Sequence, residues 1–124
     1  NGTPANNDTI FTAKVPKNFV APSKIVFFIK GTAGKSLSIL LHKKADSSDY
    51  YNLKTCTADT TLAAGGDERY DGIIDTGGNW IKVTLNILKP ADIDSTAENE
   101  LISFKVGGGA AYDLWIDDIT MEND

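Results

Sequence analysis

Tyr112-Asp113-Leu114-Trp115-Ile116-Asp117-Asp118-Ile119-Thr120-Met121 reads as a β-strand with a polar fixture built into it. The run is aromatic, apolar and β-branched, a composition that suits a pleated, half-buried surface. Two adjacent carboxylates stand in its middle. Successive strand residues face opposite sides, so only one of Asp117 and Asp118 reaches solvent unless a bulge intervenes. A buried carboxylate without a partner is strongly disfavoured. The second aspartate therefore needs backbone N–H donors, a cation or a metal.

Working outward from this strand, the same two-residue period recurs along the chain. Leu37, Ile39 and Leu41 share one phase, against Ser36, Ser38, Leu40 and His42 on the other. Ile81, Val83, Leu85 and Ile87 alternate with Trp80, Lys82, Thr84 and Asn86, and Ile102, Phe104 and Val106 with Leu101, Ser103 and Lys105. Strands are predicted at Thr9–Val15, Lys24–Lys30, Ser36–Lys43, Tyr50–Thr55, Gly72–Asp75, Trp80–Leu88, Glu100–Val106 and Tyr112–Met121. Ile25–Ile29 is apolar on both phases, so Val26 and Phe28 are expected either to be covered by loops or to line a groove. The separators carry turn chemistry, as in Thr76-Gly77-Gly78-Asn79 and Gly107-Gly108-Gly109, and Pro16, Pro22 and Pro90 fall at strand boundaries. Helical periodicity is nearly absent; Thr57–Ala64 and Asp92–Asn99 could each form a turn or a short helix. Short strands without βαβ alternation predict an all-β fold, an antiparallel jelly-roll-like β-sandwich of about eight strands. The sandwich is expected over residues 9–122, with 1–8 as a linker or N-terminal extension.

Composition narrows the function. A chain of 124 residues makes one domain, which buries roughly two-thirds of its unfolded surface. The net charge of −5 and the single arginine, Arg69, argue against nucleic acid, whose recognition draws on clustered Lys and Arg. No apolar run approaches the ~20 residues of a membrane helix. Cys56 is the only cysteine, so neither an internal disulfide nor a thiolate metal cluster is available. The polar start, Asn1 to Asp8, reads as inter-domain sequence, which implies neighbouring domains in a longer parent.

Catalytic constellations are sparse. His42 is the only histidine, no Gly-x-Ser-x-Gly elbow is present, and the loop carboxylates have no evident cleft, so the chain is not expected to be an enzyme. Calcium suits the residues better, since it takes about 6–8 oxygens in irregular geometry. Asp117 or Asp118, with Asp8 among Asn6 to Thr9, are the candidate ligands. The competing reading makes one aspartate of the pair exposed and the other a cap for backbone N–H groups at a bulge. Aromatic side chains offer a second chemistry, because a flat ring stacks on the C–H face of a sugar. Trp115 and Tyr50 lead this set, with Tyr70, Tyr112 and His42 beside them and Asn52 and Arg69 as hydrogen-bonding partners. Trp80 follows a Gly-Gly-Asn turn and is expected to fold under the sandwich end as a core plug.

Three stretches resemble a known group of domains. They are Lys24-Ile-Val-Phe-Phe-Ile-Lys-Gly31, Gly78-Asn-Trp-Ile-Lys-Val-Thr-Leu85 and Leu114-Trp-Ile-Asp-Asp-Ile119. Their order and spacing look like jelly-roll carbohydrate-binding modules and the related galactose-binding-like accessory domains of secreted or surface bacterial proteins. The resemblance implies a non-catalytic module that binds a polysaccharide or oligosaccharide in an extracellular, cell-surface or periplasmic setting. It also implies a structural Ca²⁺ with Asp117 among its ligands. The alternative expectation is a structural or protein-interaction β-sandwich with no sugar ligand.

Overall fold

The computed structural model describes residues 1–44, 47–96 and 98–122. Among these the chain forms nine strands: β1 (Asp8–Lys14), β2 (Lys24–Ala33), β3 (Leu37–Lys43), β4 (Ser47–Leu53), β5 (Thr60–Leu62), β6 (Ile74–Asp75), β7 (Ile81–Asn86), β8 (Glu100–Val106) and β9 (Tyr112–Glu122). A 3₁₀ turn at Pro90–Asp92 is the helical element described, and no helix among these residues is long and apolar enough to cross a membrane. The strands form two packed sheets. One runs β1-β8-β3-β4; the other runs β5-β7-β2, with β9 on the opposite flank of β2 and β6 pairing the end of β2. The chain passes from one sheet to the other after β1, β2, β4, β7 and β8, the alternation expected of a jelly-roll-like sandwich.

Alternation explains the core. Ile25, Phe27 and Ile29 of β2 and Val83 and Leu85 of β7 face Leu37, Ile39 and Leu41 of β3 and Ile102, Phe104 and Val106 of β8. The Phe27 and Phe104 rings meet edge to face, with centroids 4.9 Å apart, and join the sheets at the centre. Of the tandem tyrosines, Tyr51 turns inward and Tyr50 outward. Tyr51 keeps a polar atom in the core because its hydroxyl donates to the Asn86 carbonyl on the other sheet, at 2.9 Å.

Burial, reinforced by the charge on Asp49, pushes the Tyr51 phenol up to about 12. The native state thus holds the neutral phenol over a range where the unfolded chain, near pH 10, already ionises. Stability linked to this group is complete below pH ~10 and is lost as pH rises through about 12. Tyr51→Phe is expected to flatten that alkaline fall, read from urea midpoints across the range. A slope unchanged by the substitution would remove Tyr51 as its source.

Several elements differ from the sequence reading, among them β4, which begins at Ser47 and not at Tyr50, and β6, which keeps only Ile74–Asp75 of the predicted Gly72–Asp75. Thr60–Leu62, inside the stretch expected to turn helically, is a strand running parallel to β7. Threonines suit an edge strand, and the half-buried Leu62 packs against the core. β2 also continues three residues past Lys30 to Ala33. It can do so because Gly31 takes φ +126° and exchanges hydrogen bonds with Thr76, accepting from its N–H at 3.1 Å and donating to its hydroxyl at 3.0 Å.

The first residues are tied to the sandwich. Gly2 and Tyr112 exchange backbone bonds of 3.0 and 2.8 Å, Pro4 accepts from Gly109, and the Asn7 side chain accepts from Gly108.

Candidate functional site

The outward face of the β7-β2-β9 surface carries the most unusual side-chain grouping. Lys30 stands opposite Trp115 in the β2–β9 register. The β2–β7 register, continued by one position past Ile29–Ile81, sets Trp80 on its other flank. Three neighbouring strands thus present Trp80, Lys30 and Trp115 in a row. Lys30 Nζ lies 5.6 Å from the Trp80 ring centroid and 5.8 Å from that of Trp115, within cation–π reach of both. Trp80 is 45% exposed and Trp115 53%, far more than the large apolar residues of the core. With one strand between them, the tryptophan backbones stand roughly 9–10 Å apart.

Trp80 is therefore not a core plug. The turn before it is closed by the Thr76 carbonyl accepting from Asn79 and by Asp75 accepting from Gly77. That turn delivers Trp80 to the solvent phase of β7, the phase of Lys82, Thr84 and Asn86. Below the tryptophan row the face continues through Lys82, Phe28 and Asp117. Beyond them is a shallow depression of about 520 Å³, lined by Val26, Thr61, Lys82, Thr84 and Asn86, with Lys24 and Glu122 at one end. The outer phase of the doubly apolar β2 thus helps to floor a groove. Such a depression, with Val26 beneath hydroxyl, amide and ammonium groups, can hydrogen-bond a polyhydroxylated ligand.

The remaining sugar-contact candidates lie elsewhere. Tyr50, Asn52 and His42 stand on the outward face of the other sheet. There the segment after β5 folds back: Gly65 and Tyr50 exchange backbone bonds of 2.7 and 3.1 Å. The Asn52 amide donates to the Asp67 carbonyl at 2.8 Å and accepts the Arg69 N–H at 2.9 Å. Glu68 accepts from Lys105 at 3.0 Å and from the Tyr70 hydroxyl at 3.0 Å. Burial and the Glu68 hydrogen bond raise the Tyr70 phenol above its usual range. The Asn52 and Tyr70 side chains thus have an evident task, anchoring this loop, while the exposed Arg69 guanidinium lies 3.6 Å from Asp67. His42 Nε2 lies 3.1 Å from Ser103 Oγ and 3.5 Å from Glu100, and its Nδ1 lies 3.3 Å from Ser48 Oγ. It borders a second depression of about 310 Å³ with Asp94 and Asn99. The Asp94 carboxyl is held below its usual range by hydrogen bonds from the Thr96 backbone and the Asn99 side chain. Tyr112 packs against the core at the seam between β9 and the chain start. Of the predicted set, only Trp115 is on the tryptophan face.

The aspartate pair forms a bulge. Phe28 pairs with Asp117 and Val26 with Thr120, so one extra residue is accommodated in β9. Asp118 takes φ +52°, and Asp117 Oδ1 accepts the Asp118 N–H at 2.8 Å. Both carboxylates reach solvent. The chain start meets β9 at Tyr112, five residues before Asp117 and therefore roughly 16 Å away along the strand. Asp8 is in β1 of the other sheet, and no group of three or more His, Cys, Asp or Glu converges among the described residues. Asp117 and Asp8 do not fit as two ligands of one calcium ion. Chelation is accordingly expected to leave the melting curve in place. Asp117→Ala should lower Tm by a few degrees by freeing the Asp118 N–H, Asp117→Asn should cost less because its amide oxygen still accepts, and Asp118→Gly should be tolerated. A Tm that drops with EDTA would return calcium to the bulge.

No protein-family model, no curated protein and no solved structure matches this chain, so the functional reading rests on the geometry of the tryptophan face.

Proposed function

We propose that this domain is a non-catalytic glycan-binding module and that Trp80 and Trp115 form its platform. The observation that carries the reading is the pair of solvent-facing indoles on one sheet, 5.6 and 5.8 Å from a shared ammonium. Large exposed apolar surfaces on soluble proteins mark interaction sites, and flat aromatic ones suit sugar rings. The adjoining depression supplies Thr61, Thr84 and Asn86 as partners for hydroxyl groups. With a shallow, open site, binding is weak per domain, as befits an accessory module that keeps an attached domain near an extracellular, cell-surface or periplasmic polysaccharide.

Affinity electrophoresis through gels containing soluble polysaccharides tests this. The wild-type domain should be retarded by at least one polysaccharide, each of Trp80→Ala and Trp115→Ala should weaken the retardation, and the double variant should abolish it. Unchanged mobility in every gel would favour the alternative, a structural or protein-interaction domain whose tryptophan face packs on a protein neighbour.

A further inference from the structure

We infer that the platform is built for acidic glycans, chains of sugars that carry carboxylates such as polyuronates. This rests on the glycan-binding reading and adds the class of sugar. Lys30 is the reason. Its ammonium is held between two indole faces, so it occupies the centre of the surface on which a sugar would stack. Cation–π attraction fixes that charge in place while leaving N–H groups free to point at solvent.

A neutral sugar laying its C–H face on either indole has to compete with the ammonium. An acidic sugar does not: its ring lies over an indole edge while its carboxylate accepts from Nζ. Lys82 adds a second ammonium nearby. Lys82 is a diagonal neighbour of Lys30 on the same side of the sheet, roughly 7–8 Å away by sheet geometry. Among the described residues, no carboxylate forms a salt bridge with either Lys30 or Lys82, whereas Lys43 and Lys105 are paired with Asp49 and Glu68. The face also carries acids: Asp113 and Asp117 flank Trp115 on β9, Glu122 stands at the far end of the depression, and the Asp59 carboxylate accepts the Lys82 backbone N–H at 2.9 Å. The charge is local: the chain as a whole is at −5, so the site works by position and not by net attraction.

The test is isothermal titration of the domain with oligogalacturonates and alginate oligomers, alongside neutral galacto- and xylo-oligosaccharides of equal length. The acidic oligomers should bind tighter by roughly tenfold or more, an advantage that shrinks with added salt. Lys30→Met should erase the advantage and Lys30→Arg should keep most of it. Neutral oligomers binding as tightly, with Lys30→Met silent on both, would overturn the acidic assignment and leave the glycan reading intact. No heat from any oligomer, together with no retardation by any polysaccharide, would overturn both.

Discussion

Phe104→Ala is expected to lower the unfolding free energy by about 3–5 kcal/mol. Phe104 is fully buried in β8, edge to face with Phe27 of the other sheet and 5.8 Å from the Phe11 ring of β1. Removing the ring forfeits its transfer from water, leaves a cavity between two sheets that close in only partly, and breaks the aromatic pair. A domain of this size has roughly 5–15 kcal/mol of stability in total, so the variant sits near the folding threshold. Urea denaturation followed by circular dichroism reads the loss. Phe11→Ala is the control: Phe11 is 44% exposed, and its removal should cost far less. Equal losses from both would mean that Phe104 is not the keystone between the sheets.

Gly31→Ala is expected to be nearly as costly, for a different reason. Gly31 holds φ +126°, where side chains are strained, and a Cβ there would collide with the Asp113 carbonyl oxygen of β9. Backbone strain and overpacking together amount to about 2–6 kcal/mol. The damage would fall where β2 and β9 pair, one residue from Lys30, so the variant should lose stability and the tryptophan row together. Gly66→Ala, whose Cβ would have nothing within 4 Å, should leave the urea midpoint in place. A Gly31→Ala protein as stable as wild type would show that β9 shifts to make room.

Much of the fold was legible because burial follows a period of two. The phases of β3, β7 and β8 named the core residues, and the tandem Tyr50-Tyr51 forced one ring outward. β5 was not legible, since three residues of Thr-Thr-Leu carry too little alternation and its parallel partner β7 begins about twenty residues later. The aspartate pair was half legible. Its sequence demands either a bulge or a buried charge, but only the register between β2 and β9 shows the extra residue and the cap from Asp117 to its own neighbour.

The site itself was the hardest to read. Trp115 was recognisable as outward from its phase. Trp80 has the outward phase too, but its place after a glycine turn argued for burial, and the turn's own hydrogen bonds decide otherwise. Bringing Trp80, Lys30 and Trp115 into one row needs the register of three strands spread over some eighty residues of chain, which composition and spacing do not encode. Asn52 of β4 and Tyr70 of the loop illustrate the converse: their side chains suit sugar hydroxyls but are engaged by neighbouring atoms, whereas Arg69 joins that loop through its backbone N–H.

The platform can be watched directly, because the chain holds only two tryptophans and its nitrogen-labelled spectrum therefore has two indole N–H signals. Titration with the polysaccharide fragment that retards the domain should move both indole signals along one binding isotherm, together with the backbone amides of Lys30 and Lys82. Shifts confined to Tyr50 and His42 on the opposite sheet, with both indoles still, would place the ligand elsewhere and contradict the account.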